Sequence, residues 1–493
     1  MGKKPKADAD KNRLLQQIGY AIKEIEPGYL KYALNDLKSS ILSKQVKDIE
    51  FYANIVISQA VSSGWSSRAL SDLLRYFMND NEFEAQWKGF EKELLNSSLS
   101  RHYVLINVPF RNQSDEELGK NISALQRLGL AIKNHTEIVA EFRDIEDIDR
   151  LVNAEKRYIV VNVDAKDIYS ASHSAITKIS EQLNFASFYN LVDAWDLQSV
   201  VIVSINLRSK YHRSFTAKQL YSTHDYLDSS GKIFEDTRRI FAEEENKSIR
   251  DKLQGSFGYT NISRASLFQE EKYMNLWVAL ESLARTSMYG DIISNVKVTV
   301  PAAMSLRYIY RIVRNFVEDC KRCKISFNFS GCSIDMEQET KQKMVEETIT
   351  VLKDDLLFSE LKAKCQVNSL LENRVNEIRH LVTDISYAKE KIENHYKRIE
   401  WQLQRLYRIR NEIAHAALRE QSSLIVYIEH LYHYLSSYIA EIVTCLTDKG
   451  LSTIEEALCL IKDNYDVFIC MSNGDELNLV KDNVLKTGII NLI

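Results

Sequence analysis

The segment Arg410-Asn-Glu-Ile-Ala-His415 combines three side chains that could cleave RNA without a metal ion. A histidine titrates near neutral pH and can donate or accept a proton. An arginine presents a fixed fork of donors to a phosphate, and Asn411 can hold a phosphate oxygen or orient the imidazole. RNA carries its own nucleophile, the 2′-hydroxyl, so these groups need only activate it and stabilise charge on phosphorus. The expected product is a 2′,3′-cyclic phosphate, and DNA should resist this route.

The sequence before the motif predicts a helix whose apolar face continues into Arg410. Its members recur every three or four residues: Ile385, Ala388, Ile392, Tyr396, Ile399, Leu403 and Leu406. A buried guanidinium without a partner is unfavourable, so Arg410 needs a carboxylate, a cleft or an anion. Five residues on one unbroken helix rotate by about 140°, which would separate Arg410 from His415. We therefore expect a helix break at or near Asn411, a residue type that favours N-caps.

Positive charge is concentrated just before and within the motif, although the whole chain has a formal net charge of −4. The predicted RNA-binding residues are Lys397, Arg398, Arg405, Arg408 and Trp401. The cations could receive a phosphate backbone, and the tryptophan could stack on a base. The alternative is an ordinary solvated helix face with its aromatic residue in the core.

Composition indicates a globular protein with several domains. The chain has 493 residues, a hydrophobic fraction of 45% and only four prolines, which predicts long uninterrupted helices. The first residues contain no apolar run typical of a secretory signal, and no segment has the length of a membrane helix. We therefore expect a cytoplasmic protein that does not span a membrane.

The pattern changes along the chain predict a mainly α fold in five parts. Residues 1–98 are expected to form a helical region, 99–210 a small α/β domain with three or four core strands, and 211–261 a linker with helices. Residues 262–448 are expected to form a helical domain, and 449–493 an accessory helix with a hairpin around Asn473-Gly474. Because proline is well tolerated in the first turn of a helix, Pro301 predicts the start of a helix. This helix would carry Arg307, Arg311 and Arg314.

Two further clusters offered weaker chemistry. Cys320 and Cys323 with Cys332 could begin a zinc site, but no fourth ligand follows at matching spacing, so reduced structural thiols are favoured. Asp164, Asp167 and His173 follow a predicted strand; their ordinary interpretation is solvated loop charge. On the last long helix, His430 and His433 are expected on the surface.

The motif and its surroundings resemble the HEPN superfamily, in its Apea-like branch. Arg410-Asn-Glu-Ile-Ala-His415 is similar to the R-x(4–6)-H motif of that superfamily, and Leu276-Trp-Val-Ala-Leu-Glu281-Ser-Leu283 resembles the helix that carries a glutamate in this branch. The order of the elements also agrees, and the resemblance covers roughly residues 262 to 448. The segment from about Cys320 to Leu370 departs from the family as a long insertion.

The resemblance implies a helical bundle that dimerises and forms a shared ribonuclease site, often in a toxin or an anti-phage defence protein that cuts tRNA. Arg410, Asn411, His415 and Glu281 would be its catalytic residues, with no metal and no cofactor. The N-terminal half would sense a phage-derived or cellular trigger, or restrain the nuclease. Two alternatives remain: a non-catalytic module for dimerisation or for binding a nucleotide or partner, and a metal-dependent nuclease using Asp164 and Asp167.

Overall fold

The computed structural model shows a mainly helical chain that divides into two compact units, Met1–Ser222 and Thr223–Ile493. The boundary falls inside the segment 211–261 that was expected to contain a linker and helices. The structure describes residues 28–78, 82–95, 98–108, 114–143, 145, 148–188, 199–206, 209–216, 232–243, 246–266, 268–330, 332–334, 341–416 and 424–470.

The first unit begins with four short helices. They are α1 (Tyr29–Leu42), α2 (Val46–Ser62), α3 (Ser67–Leu73) with a following 3-10 turn, and α4 (Phe83–Leu94). The Ser66 side chain starts α3 by accepting a hydrogen bond from the backbone of Ala69. Trp87 is fully buried beside the ring of Phe90, which anchors α4 in its own small core.

An antiparallel sheet of five strands forms the second part of this unit, in the order β2-β3-β1-β4-β5. The strands are β1 (Ser100–Val108), β2 (Ile132–Lys133), β3 (Arg157–Ala165), β4 (Ser199–Asn206) and β5 (Ser209–Thr216). Three runs rich in β-branched residues, 103–110, 158–163 and 199–205, predict strands, and they correspond to the central strands β1, β3 and β4. Two edge strands were missed, because β2 has only two residues and β5 is mostly polar.

Among the described residues between the strands, there are four helices: α5 (Asp115–Arg127), α6 (His135–Glu141), α7 (Ile148–Leu151) and α8 (Ile168–Phe188). Capping boxes at Ser114 and Asn134 start α5 and α6. Leu105 of the central strand packs with Ile138 and Phe142 in a buried cluster, so the sheet has an apolar face covered by these connections.

The second unit, where it is described, is a bundle of helices with one small hairpin. Its helices are α9 (Lys232–Ala242), α10 (Lys247–Ala265), α11 (Gln269–Ala284), α12 (Ile292–Leu306), α13 (Tyr308–Arg322), α14 (Lys341–Lys353), α15 (Asp355–Cys365), α16 (Ser369–Thr383), α17 (Ile385–Ala416), α18 (Leu424–Lys449) and α19 (Ile454–Cys470). The hairpin consists of β6 (Asn328–Phe329) and β7 (Cys332–Ser333).

The apolar spacing from Tyr273 to Leu283 predicts a buried helical stripe, and α11 carries that stripe in the bundle core. Tyr273, Trp277 and Leu280 are completely buried, and they belong to one continuous cluster with the apolar faces of α12, α17 and α18. Helix α17 is the longest, with 32 residues, or about 48 Å at 1.5 Å per residue. The residues proposed for RNA cleavage occupy its last two turns.

Two helix boundaries differ from the prediction. Pro301 lies inside α12, which begins two turns earlier because the Asp291 side chain accepts a hydrogen bond from the backbone of Ser294. Arg307 consequently ends α12, while Arg311 and Arg314 belong to α13. The side-chain cap at Asp291, and not the proline at position 301, determines where α12 begins.

The sequence predicts two long helical stretches, 336–361 and 370–409, and the structure divides this region into four helices. Asp354, Asn368 and Asp384 each accept hydrogen bonds from the backbone amides two and three residues later. Each side chain therefore starts a new helix at that point. The cap at Asn368 falls in the predicted gap, whereas the apolar periodicity carries across Asp354 and Asp384, which is why it predicted continuous helices there.

The segment 211–261, expected to be a linker with helices, contains α9 and most of α10, and α10 includes Gly255 and Gly258. The C-terminal tail differs from the prediction. The expected strand beginning at Asp466 is instead the last turn of α19, because Ile461 and Phe468 are buried on one helical face. The remaining part of the expected hairpin, including Asn473-Gly474, lies outside the described residues. Within the described ranges, no helix is both long and apolar enough to cross a membrane.

Candidate functional site

Helix α17 runs unbroken through the motif, so the helix break expected near Asn411 is wrong. Ile409 is buried and Ile413 packs against the same bundle core, which keeps this part of the helix attached to the core through its last turns. An asparagine caps the start of a helix only where the residue itself is not yet helical. Here the apolar contacts on both sides of Asn411 outweigh that preference.

Arg410 is half-buried and lies beside Asn411. Its Nη1 donates a hydrogen bond to Oδ1 of Asn411 at 3.2 Å. Its Nε is buried and has no hydrogen-bond partner among the described residues. A buried donor without an acceptor is unfavourable by about 1–3 kcal/mol, so this guanidinium retains capacity for another acceptor. The two neighbouring side chains therefore form one donor group at the end of α17.

His415 is exposed one turn beyond this pair. Because α17 is continuous, His415 is rotated from Arg410 by about 140° and displaced by about 7.5 Å along the axis. The two side chains therefore point to different sides of the helix within one chain. A site that uses both groups on one phosphate needs a second surface, such as another copy of this helix.

Glu281 belongs to the helix that packs against α17 just before the motif. Its Oε1 accepts a hydrogen bond from Nε1 of Trp277 at 2.5 Å, and the Trp277 ring lies 5.8 Å from that of Tyr407. Among the described residues, Glu281 forms an ion pair with neither Arg410 nor Arg285. Its carboxylate is held by the tryptophan at the junction of α11 and α17, rather than acting as a counter-ion to the motif arginine.

A second contact fixes this junction. The Tyr273 hydroxyl donates a hydrogen bond of 2.5 Å to the carbonyl oxygen of Leu406. Burial raises the pKa of Tyr273 well above its usual value, so this hydroxyl remains protonated and acts as a donor. The contact positions α11 one turn before Arg410, which agrees with the expectation that the Glu281 helix lies next to the motif helix.

The predicted RNA-binding residues lie mainly on the outer side of α17. Trp401 is 76% exposed, which contradicts the alternative that it is a core residue. Lys397 pairs with Glu393 at 2.7 Å, and Arg405 lies 5.2 Å from the ring centre of Tyr427. Arg398 and Arg408 are exposed. This surface combines cations with an exposed indole, as a nucleic-acid-binding surface would require.

The acidic residues of the first unit are used in local structure. Asp167 accepts hydrogen bonds from the backbone and hydroxyl of Ser66 and from the backbone amides of Tyr169 and Ser170. Asp164 pairs with Arg101 on the sheet. Asp167 is thus a helix cap and an anchor for α3. Its contacts give no support to the metal-dependent alternative.

The cysteine segment contains buried thiols. Cys320 and Cys365 are both fully buried, and a hydrogen bond to Cys365 together with burial raises the pKa of Cys320. Their proximity joins α13 to α15. In the described parts of the chain, no three potential metal ligands come together.

A polar cluster inside the bundle was missed by the sequence analysis. Nη1 of Arg311 lies 3.3 Å from Nε2 of His433, and its Nη2 lies 3.2 Å from Nε2 of His395. These residues come from α13, α18 and α17. His433 had been expected on a helix surface, but it is half-buried. The spacing of Arg307, Arg311 and Arg314 was the only feature of the sequence that indicated this cluster. That spacing did not indicate that His395 and His433 would contact Arg311.

A buried ion pair joins the end of α12 to α18. Nε of Arg307 lies 2.7 Å from Oε2 of Glu441, whose side chain has no exposed surface. Burial raises the pKa of Glu441 to about 7, although Arg307 acts in the opposite direction. The ion pair is therefore sensitive to pH near neutrality.

Comparison of the chain with protein-family models, curated protein sequences and solved structures found no match in any of the three.

Proposed function

We propose that the second unit is a metal-independent endoribonuclease of the HEPN type, acting as a toxin or anti-phage defence effector on RNA such as tRNA. The observation that carries the proposal is the pair Arg410–Asn411, with a buried donor left unpaired, one turn before the exposed His415. The exposed cations and Trp401 on the same helix supply a surface that RNA could follow.

The proposed chemistry uses the RNA 2′-hydroxyl as nucleophile. His415 takes the proton of that hydroxyl as its oxygen attacks phosphorus, and Arg410 with Asn411 stabilises the added negative charge. The bond to the 5′ oxygen then breaks, and that oxygen takes a proton from an imidazolium or from water. The products are a 2′,3′-cyclic phosphate and a 5′-hydroxyl, and no metal or cofactor takes part.

The geometry of α17 favours a site shared by two chains. Arg410 and His415 diverge within one chain, whereas a two-fold axis near the helix end would place the arginine of one copy beside the histidine of the other. We therefore propose a homodimer with two identical sites. The first unit is proposed to sense a trigger or to restrain the nuclease.

RNA cleavage by the purified full chain in EDTA tests the proposal. We expect cleavage to persist in EDTA, to yield cyclic phosphate ends and to fall by about 10²–10⁴-fold in His415→Ala. His380→Ala is the matched control, because His380 is also an exposed histidine of this unit and belongs to α16. Cleavage that requires added metal, or that survives in His415→Ala, would contradict the proposal.

A second function is favoured by the same unbroken helix. If the end of α17 serves only to dimerise or to bind a nucleotide or partner, Arg410 and His415 need not converge at all. The wild-type protein would then bind RNA or self-associate without forming cyclic phosphate ends. Substitution of His415 would then change RNA binding or self-association at most, because there would be no cleavage to lose.

A further inference from the structure

The Arg311 cluster lies in the bundle, away from the Arg410 motif. The Arg311 guanidinium is held between Nε2 of His433 at 3.3 Å and Nε2 of His395 at 3.2 Å. The Tyr308 ring stacks on His395, with centroids 4.1 Å apart and planes at 21°. His395 precedes Arg410 by about 22 Å along α17, so the two groups belong to different sites.

The hydrogen bonds fix the charge state of the two histidines. A guanidinium has only donors, so each Nε2 that faces it must accept through its lone pair. An imidazole that accepts at Nε2 is neutral. Burial, together with the positive charge of Arg311, lowers the pKa of His395 to about 3, in agreement with this assignment. The formal charge at the centre of the cluster is therefore that of Arg311.

The surroundings add positive charge rather than compensate it. Arg314 lies one turn after Arg311 on α13, and Arg398 lies one turn after His395 on α17. In the described part of the chain, Arg311, Arg314 and Arg398 take part in no ion pair with a carboxylate. Arg307 is close as well, but Glu441 matches its charge. Three guanidinium groups thus share one region without a counter-ion.

Arg311 is half-buried, and its two hydrogen-bond acceptors are imidazoles, so no negative charge offsets its own. Burial and the neighbouring Arg314 both lower the pKa of Arg311, which shows that its charged form is destabilised. A bound oxyanion would supply the missing negative charge. It would also raise the affinity of the two imidazoles for protons, so that they could change from acceptors to donors toward the anion.

We propose that Arg311, His395 and His433, flanked by Arg314 and Arg398, bind the phosphate group of inorganic phosphate or of a phosphorylated small molecule. A doubly charged tetrahedral anion suits three unpaired guanidinium groups better than a carboxylate with one charge. Protons taken up from solvent by the imidazoles would accompany binding. This site shares Arg398 with the proposed RNA-binding surface, but it contains none of the residues proposed for RNA cleavage.

Isothermal titration of the full chain with inorganic phosphate tests the site, with chloride at equal ionic strength as the blank. We expect saturable binding, and an observed heat that differs between two buffers of different ionisation enthalpy, because protons are taken up. Arg311→Gln should weaken binding at least tenfold, and Arg398→Gln several-fold.

Arg322→Gln is the matched control, since Arg322 lies on the same helix with a side chain that is 78% exposed. It should leave affinity unchanged. Absence of saturable binding in the wild type would overturn the proposal, as would equal weakening by Arg322→Gln and Arg311→Gln. If Arg311→Gln does not fold, unchanged affinity in Arg398→Gln decides against it.

A second titration with adenosine 5′-monophosphate separates the two sources of phosphate. Tighter binding than that of inorganic phosphate, still weakened by Arg398→Gln, would assign the site to a phosphorylated small molecule. Equal affinity for both would assign it to the phosphate group alone.

Discussion

Two polar regions of helix α17 differ in how they are held. At its end, Arg410, Asn411 and His415 lie within six consecutive residues, and His415 is exposed. About one third of the way along α17, His395 contacts Arg311, which belongs to another helix and lies 84 residues away in sequence. The first region is a sequence motif whose members diverge on one helix. The second has no motif, yet its members converge.

This difference shows that short spacing and spatial convergence are separate properties. A motif on one continuous helix presents its residues in fixed directions, so convergence requires another chain or a ligand. A cluster assembled from three helices is convergent from the outset, because the packing of the bundle positions it. Two questions follow: whether another copy of the chain completes the site at Arg410 and His415, and whether the stability of the buried polar region depends on pH.

Mixing two inactive variants should restore cleavage if the site is shared between copies. Arg410→Ala and His415→Ala each lack one group, but a mixed dimer contains one site with both groups intact. Random exchange of subunits should therefore restore about a quarter of wild-type activity. Cleavage of a labelled RNA in EDTA, before and after subunit exchange, measures this. Activity that stays at the level of the separate variants would place the site within one chain.

The stability of the bundle should fall as pH rises through the titration of Glu441. Folding raises the pKa of this carboxyl from 4.5 to about 7, so its stabilising contribution is present below pH 4.5 and is lost as pH rises toward 7. Between pH 4.5 and about pH 8 we expect the wild type to lose about 3 kcal/mol relative to Glu441→Gln. Denaturant unfolding of both proteins across this range measures it. If the free energies of unfolding of the two proteins change in parallel with pH, burial does not raise the pKa of Glu441.

The His395 region should respond to pH in the opposite direction. Folding lowers the pKa of His395 from 6.5 to about 3, so its contribution is complete above pH 6.5 and is lost as pH falls toward 3. Relative to His395→Gln, which keeps an acceptor for Arg311, the wild type should lose about 2 kcal/mol between about pH 7 and pH 4.5. His380→Gln, at an exposed histidine, provides the comparison. If the difference in free energy of unfolding between the wild type and His395→Gln is the same at both pH values, folding does not lower the pKa of His395.

The smallest expected effect concerns Trp401 at the exposed region. Because its side chain is 76% exposed, Trp401→Ala should change the free energy of unfolding by less than about 0.5 kcal/mol. If the indole stacks on a base, RNA affinity should fall by about 1–3 kcal/mol. Fluorescence anisotropy with a labelled single-stranded RNA measures the affinity. Unchanged affinity would leave the cations alone as the RNA-binding surface.

Apolar periodicity and β-branched runs were sufficient to predict the mainly α fold, the buried stripe of α11 and the three central strands of the sheet. Those signals depend on local patterns that burial imposes on each element. They failed at the helix boundaries set by Asp354 and Asp384, because the apolar face continues past these caps. The predicted break at Asn411 failed for the converse reason: core contacts beyond it keep α17 continuous.

The sequence by itself determined which residue types stand together at Arg410–His415, since that pattern is local. Only the tertiary structure decided the directions of those side chains, the capture of Glu281 by Trp277 and the meeting of Arg311 with His395 and His433. The physical reason is that hydrogen bonds and charge interactions act over a few ångströms. Residues far apart in sequence therefore acquire these properties only when the packing of apolar faces brings their helices together.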